Sequence, residues 1–207
     1  MMQTALKQKL FILLLSTLFA FSAQASVNVL TGAFEKDWQD EVGGSSKGPQ
    51  RVLRTYSSRE GWSFQLQKVK PSLIRKNTQG QILSVGPWAY NYSGDRLLSA
   101  SHRGGSTEMY EYDEFGNLTN IRNQKQNIKI QYDAEKDRAI SIQDRCLLKI
   151  RYEEQIQSSR YQLRTLLSTQ CPQQKLVQQQ YRFQFRPSNE GWELQQAWET
   201  SLQGERP

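Results

Sequence analysis

The chain has 207 residues, with 27 Lys and Arg against 20 Asp and Glu for a net charge of +7, one histidine and two cysteines. One histidine and two cysteines cannot assemble a zinc-ligand set or a histidine-dependent nucleophile triad. The basic excess alternates with acidic residues and forms no cluster, which argues against nucleic acid as a partner. The length suits one domain or one repeat array.

The N-terminus reads as a secretory leader. Lys7 and Lys9 precede an apolar run from Leu10 to Phe21, and Ala23-Gln24-Ala25 places small residues two apart. This three-part pattern predicts a signal peptide over 1–25, cleaved after Ala25. The alternative is a short membrane anchor, but the run is well under the roughly 20 apolar residues needed to span a bilayer. No later stretch is apolar enough to cross a membrane. The expected location is therefore outside the cytoplasm, either periplasmic or extracellular.

From Ser26 onward, period-two alternation dominates, and no long 3.6-residue periodicity appears. Strands are expected at Val27–Leu30, Arg51–Tyr56 and Trp62–Val69, with a Gly/Ser-rich loop over Gly43–Pro49. In the third of these, Trp62, Phe64 and Leu66 share one face. The whole 26–85 segment forms an opening region before the repeats. His102-Arg103-Gly104-Gly105 reads as a turn carrying an exposed histidine.

The central segment, 86–155, repeats every twenty residues. Tyr92, Tyr112, Tyr132 and Tyr152 each end a short alternating run, and the residues that follow each contain turn formers. A fixed period of this kind marks a repeat architecture. Each unit reads as a hairpin, with return strands at Arg96–Ala100, Asn117–Ile121 and Ala139–Ile142. The tyrosines should line one buried face, with Leu and Ile from the return strands filling the gaps. Asn91, Glu111, Gln131 and Arg151 should be exposed on the other. The fold expected is all-β: an antiparallel meander of such hairpins, forming a curved, partly wrapped sheet, with helix only in the leader.

The remainder, 156–207, reads as further hairpins, including Tyr181–Phe185 and Trp192–Leu194. The glutamines Gln178-Gln179-Gln180 are expected on a strand surface. A strand from Cys146 to Tyr152, a turn at Ser158-Ser159 and a return from Arg160 to Ser168 place Cys171 opposite Cys146. An even cysteine count in an oxidising compartment also points to this disulfide. Closing that loop is worth about 3 kcal/mol in the chain-entropy estimate.

Tyr110-Glu111-Tyr112-Asp113-Glu114-Phe115-Gly116-Asn117-Leu118-Thr119-Asn120-Ile121 closely resembles the YD repeat of RHS proteins, whose pattern is Y-D-x-x-G-N-L-T-x-I. Tyr132-Asp133 begins a weaker copy, the copy at Tyr92 is shorter and lacks the Asp, and the copy at Tyr152 has decayed further. Asn28-Val29-Leu30-Thr31-Gly32 and Arg54-Thr55-Tyr56-Ser57-Ser58-Arg59, followed by Gly61-Trp62, resemble the opening region of the same family. The likeness covers about residues 27–155. It implies a spiral β-sheet that in large members wraps into a shell enclosing a toxin, and in some members a role in surface recognition or carbohydrate binding. With three or four repeats, no Asp-Pro-x-Gly-Leu motif and no effector domain, this chain resembles a small stand-alone member.

The repeat motif explains itself physically. Asp113 sits where its carboxylate can accept backbone N–H groups, and Gly116 supplies the positive φ a tight turn requires, with Asn117 tolerating the same region. Asp113 and Asp133 could instead pair as a glycosidase acid and base, but a repeated Asp at a turn reads as structural. No catalytic residue, metal ligand or cofactor site is assigned. The expected function is non-enzymatic binding at the cell envelope, with a glycan or an envelope protein as partner. The alternatives are an accessory or remnant of a toxin system of RHS type and, behind that, a hydrolase.

Overall fold

The structure, a computed structural model, describes residues 25–45, 48–157, 160–189 and 191–202. The predicted leader, apart from Ala25, and the predicted Ser158-Ser159 turn lie outside these residues, as do Ser46 and Lys47 of the expected loop. Among the described residues no helix is long and apolar enough to cross a membrane.

The chain is nearly all antiparallel β, as the alternation predicts. A four-stranded sheet comes first: β1 (Ala25–Val27), β2 (Phe34–Ser45), β3 (Gly48–Ser57) and β4 (Gly61–Gln67). A twelve-stranded sheet follows. Its first half is β5 (Ile74–Lys76), β6 (Ile82–Val85), β7 (Trp88–Ser93), β8 (Arg96–His102), β9 (Thr107–Tyr112) and β10 (Leu118–Arg122). Its second half is β11 (Asn127–Asp133), β12 (Arg138–Gln143), β13 (Leu147–Gln157), β14 (Arg160–Gln170), β15 (Val177–Ser188) and β16 (Gly191–Leu202). Both sheets are pure meanders, each strand pairing with its sequence neighbours. The only helix among the described residues is a 3₁₀ turn at Pro71–Leu73.

The two sheets pack face to face, and β2 with the turn before it lies across the strands of the large sheet. Strands of a sheet lie about 4.8 Å apart, so the eight from β7 to β14 are roughly 34 Å across, and the twelve residues of β2 span roughly 40 Å. Groups from both ends of that stretch reach β2 or the turn that precedes it, in order along the chain. The Trp88 Nε1–H of β7 donates to the Glu41 carbonyl at 3.0 Å, the Ala139 N–H of β12 to the Gly32 carbonyl at 2.9 Å, and Thr165 of β14 to the Val29 carbonyl at 2.7 Å. The opening region thus covers one face of the large sheet.

The buried face alternates as expected. Phe34, Val52 and Tyr56 of the small sheet meet Tyr90, Leu97, Tyr110, Leu118, Ile121, Ile128, Ile130, Ile142, Ile150 and Leu163 of the large one, all buried. Trp38 and Trp62 are partly buried against this core, their rings 4.9 Å apart, and Trp62 meets Tyr110 edge-on at the same distance. Asn91, Glu111, Gln131 and Arg151 are exposed.

Several sequence expectations are corrected. Residues 28–33 form a turn and not a continuation of the first strand. Asn28 Oδ1 accepts the N–H groups of Leu30 and Thr31, both at 3.1 Å, and Gly32 has φ +75°. An Asx turn of this kind competes directly with strand pairing. The Gly/Ser-rich loop is the end of a long hairpin, in which Gly44 pairs with Pro49. The twelve-residue β2 was hidden because its inward face reads Phe34, Lys36, Trp38, Asp40, a sequence that breaks hydrophobic alternation. Ile140 does not fill the core; it is 36% exposed. Gln180 is buried, its Oε1 accepting from Arg164 Nε and Nη2 at 3.0 and 2.7 Å. His102 ends β8, half-buried and edge-on to Trp88. Its Nδ1 accepts the Gly104 N–H at 2.9 Å.

Candidate functional site

The repeated tyrosines share one hydrogen-bonding rule. Each hydroxyl donates to a main-chain carbonyl of the preceding hairpin: Tyr92 to Ile82 at 3.1 Å, Tyr112 to Leu97 at 2.6 Å, Tyr132 to Leu118 at 3.2 Å, and Tyr152 to Ala139 at 3.0 Å. Each acceptor stands one residue before the β-bulge of the earlier unit, where Leu83, Leu98, Thr119 and Ile140 are the unmatched residues. Burial raises the pKa of all four phenols, that of Tyr92 to about 12. They stay protonated as donors throughout the neutral range. Tyr112 also accepts the Trp62 Nε1–H at 2.7 Å, joining the repeat row to the small sheet.

The turns that follow these tyrosines line up at one margin of the large sheet. Asp113 Oδ1 accepts the Asn117 N–H at 2.8 Å, and Gly116 has φ +96°, as its turn requires. Asn117 itself does not take positive φ; it is buried, and its amide donates at 3.3 Å to Asp113 Oδ2 and at 2.6 Å to Asp137 Oδ1 of the next turn. In that next turn the left-handed residue is Asp137, φ +52°. Asp133 Oδ1 accepts the Glu135 N–H at 2.9 Å.

Between these two turns lies an open cleft of about 700 Å³, lined among others by Asp113, Phe115, Gln131, Tyr132, Asp133 and Asp137. The repeat thus brings Asp113, Tyr132 and Asp133 of the motif together, while Tyr92 and Tyr152 lie outside the cleft. The lip is Phe115, 71% exposed, and the exposed Ile140 lies on the lining too. Thr119 adds a hydroxyl, which donates to the Glu111 carbonyl at 3.1 Å. Sequence reading placed the turn aspartates but not Gln131, Asp137 or Ile140 beside them. The twenty-residue spacing was the available signal, because it sets equivalent turns side by side.

A second cluster is wholly internal. Arg54, 1% exposed, donates through Nε and Nη2 to the two oxygens of Asp40, at 2.5 and 2.9 Å, and through Nη1 to the Tyr110 hydroxyl at 2.5 Å. Tyr90 donates to Asp40 Oδ2 at 2.7 Å, and Tyr110 to Glu108 Oε2 at 2.6 Å. Lys36, also buried, lies over the Trp38 ring at 5.1 Å. Burial lowers its pKa, opposed by attraction to Glu108 and Asp144. Burial alone would lower the Arg54 pKa too, but Tyr110 and Asp40 hold it above the ordinary value. Two cations and two carboxylates therefore balance inside the sandwich. Enclosed between the sheets, this cluster is built to hold them together.

Cys146 and Cys171 form a disulfide at a Cα–Cα distance of 4.2 Å. It closes the β13–β14 pair at the end remote from the turn row, where Leu147 pairs with Gln170. Among the described residues no group of three or more His, Cys, Asp or Glu is placed to hold a metal ion. No protein-family model matches the chain, and no curated protein matches it.

Proposed function

We propose that this is an exported, non-enzymatic binding protein of the cell envelope, and that the cleft between the Asp113 and Asp133 turns takes a glycan. The carrying observation is the Phe115 ring, 71% exposed at the lip of a cleft whose polar groups include Asp133, Asp137, Thr119 and Gln131. A solvent-facing aromatic buries little apolar surface within the fold, and offers a flat apolar surface for the C–H face of a sugar ring. Carboxylates and amides beside it suit pairs of vicinal hydroxyls, and a few fixed polar groups among apolar ones are the usual make-up of a ligand site. The leader-like N-terminus and the Cys146–Cys171 disulfide support export. The likeness of Tyr110–Ile121 to a YD repeat supports a place among surface-recognition proteins.

Hydrolysis is the weaker reading. Both oxygens of Asp113 are occupied by Asn117, and Asp133 Oδ1 by a turn N–H. The test is a glycan panel that includes cell-wall polysaccharides, followed by calorimetry on any hit. Phe115→Ala should weaken binding at least tenfold without lowering the unfolding midpoint. A panel with no hit, or a hit indifferent to Phe115, would remove the glycan reading.

A further inference from the structure

The charge of the cleft between the Asp113 and Asp133 turns is one-sided. Its lining carries three carboxylates, Asp113, Asp133 and Asp137, and no Lys, Arg or His. None of the three joins an ion pair among the described residues. Cations of the same turn row are engaged elsewhere. Arg96 donates to the Asp113 main-chain carbonyl at 3.4 Å and lies over the Tyr112 ring, 5.8 Å from its centre. Lys136 and Arg138 both pair with Glu154. The chain as a whole carries +7, but exposed charges more than about 8 Å apart are largely screened at physiological salt. The local carboxylates therefore set the potential that a ligand meets in the cleft.

The turns do not need these charges. Asp133 Oδ1 accepts the Glu135 N–H at 2.9 Å, and Asp137 Oδ1 accepts the Asn117 amide at 2.6 Å. An asparagine carbonyl oxygen accepts the same bonds, and asparagine tolerates the left-handed φ of +52° at position 137 as aspartate does. The second oxygens of Asp133 and Asp137 accept no hydrogen bond among the described residues, and Asp137 is exposed. Asp113 differs, because Asn117 holds both of its oxygens. Asp133 and Asp137 thus add to the cleft what their turns do not use: negative charge and a carboxylate oxygen apiece.

We propose that the glycan taken by this cleft is an amino sugar polymer, with free, protonated amines on its hexosamine units. The proposal rests on the glycan reading above and adds to it the charge of the sugar. An ammonium carries three donors and no acceptor, which suits a carboxylate oxygen and makes a charge-assisted bond. N-acetylation would remove that charge, and a uronic acid would set like charges together, a penalty that selects against it. A bridging metal ion is the other way to balance carboxylates, but among the described residues no group of three or more His, Cys, Asp or Glu is placed to hold one. The counter-charge therefore comes on the ligand.

Calorimetry of the full chain with four titrants tests this: a β-1,4-linked glucosamine oligomer, its fully N-acetylated counterpart, a uronic acid oligomer of the same length, and oligolysine. The glucosamine oligomer should bind about tenfold tighter than the N-acetylated one, the yield of one or two partly screened ion pairs, and the preference should shrink as salt is raised. The Asp133→Asn, Asp137→Asn double variant should bring that ratio to about one, with the thermal midpoint unchanged. A general loss of binding would leave the ratio where it was. A ratio that survives the double variant overturns the assignment to these carboxylates. Equal or tighter binding of the N-acetylated or uronic acid oligomer overturns the amino sugar and leaves the glycan reading standing. Oligolysine binding as tightly as the glucosamine oligomer overturns it too, in favour of a basic peptide. Binding of none of the three sugars removes both readings.

Discussion

Arg54 of the small sheet grips Asp40 on the neighbouring strand with two hydrogen bonds, of 2.5 and 2.9 Å, while its third nitrogen reaches Tyr110 across the sandwich. A planar guanidinium with donors in a fixed fork can do this, and a lysine cannot. The pair is therefore both a joint within one sheet and the main polar link to the other.

Removing one partner of that pair should be costly, since it strands a buried charge. Arg54→Met is expected to lower stability by about 3–5 kcal/mol. Arg54→Lys should recover part of that loss, because it restores the charge beside Asp40 but not the bidentate fork. Urea unfolding followed by tryptophan fluorescence measures both. A loss below 1 kcal/mol in Arg54→Met, on the order of a surface pair, would show that the sheets are held by apolar packing alone.

The repeated tyrosines should not be equivalent. Tyr112→Phe removes an acceptor for the Trp62 indole as well as a donor to Leu97. It should cost about 1–3 kcal/mol, because a partly buried N–H is left unmatched. Tyr152→Phe removes one bond, to Ala139, and should cost about 1 kcal/mol. Equal losses in the two variants would contradict the double role of Tyr112.

Opening the disulfide should destabilise by about 3 kcal/mol while the strands persist. The Cys146→Ser, Cys171→Ser double variant, compared with the oxidised wild type in thermal unfolding, measures this. Far-ultraviolet circular dichroism should keep its β signature, because ladder bonds hold β13 and β14 from Leu147 to Gln157.

Alkali should unfold the protein cooperatively. Burial raises the phenol pKa of Tyr56 and Tyr92 to about 12 from an ordinary 10.0, and raises those of Tyr90, Tyr110, Tyr112, Tyr132, Tyr152 and Tyr181 as well. Between the ordinary and the raised value the unfolded chain loses protons that the folded chain keeps. Stability is therefore full below pH 10 and falls as pH rises past it. Lys36 acts oppositely: its lowered pKa makes its own contribution rise with pH below 10.5, but one lysine is outnumbered. Phenolate absorbance should appear together with loss of β signal. Phenolate forming well before unfolding would mean the tyrosine row is open to solvent.

The legible part of this fold is the part governed by local periodicity. Tyr92, Tyr112, Tyr132 and Tyr152 announced their hairpins because side chains alternate at period two and the turns between them carry Gly, Asn and Asp. Cys146 and Cys171 could be paired from strand register, since an antiparallel ladder keeps the sum of partner numbers constant. β2 was illegible for the converse reason: Lys36 and Asp40 stand at core positions, and a charge at a core position looks like a surface residue until its partner is known. The cleft was half legible, with Asp113 and Asp133 placed and Phe115 named only as a motif letter.

Taken alone, the order of residues determined the all-β class, the meander, the face each repeat buries and the disulfide. These depend on neighbours in sequence or on adjacent strands, and local alternation encodes them. Only the tertiary structure decided that the first sheet lies across one face of the second, that Arg54 finds Tyr110 fifty-six residues away, and that Phe115 lines a cleft. Those facts depend on how two sheets pack against each other, a property of twist and of both whole faces that no short stretch of sequence carries.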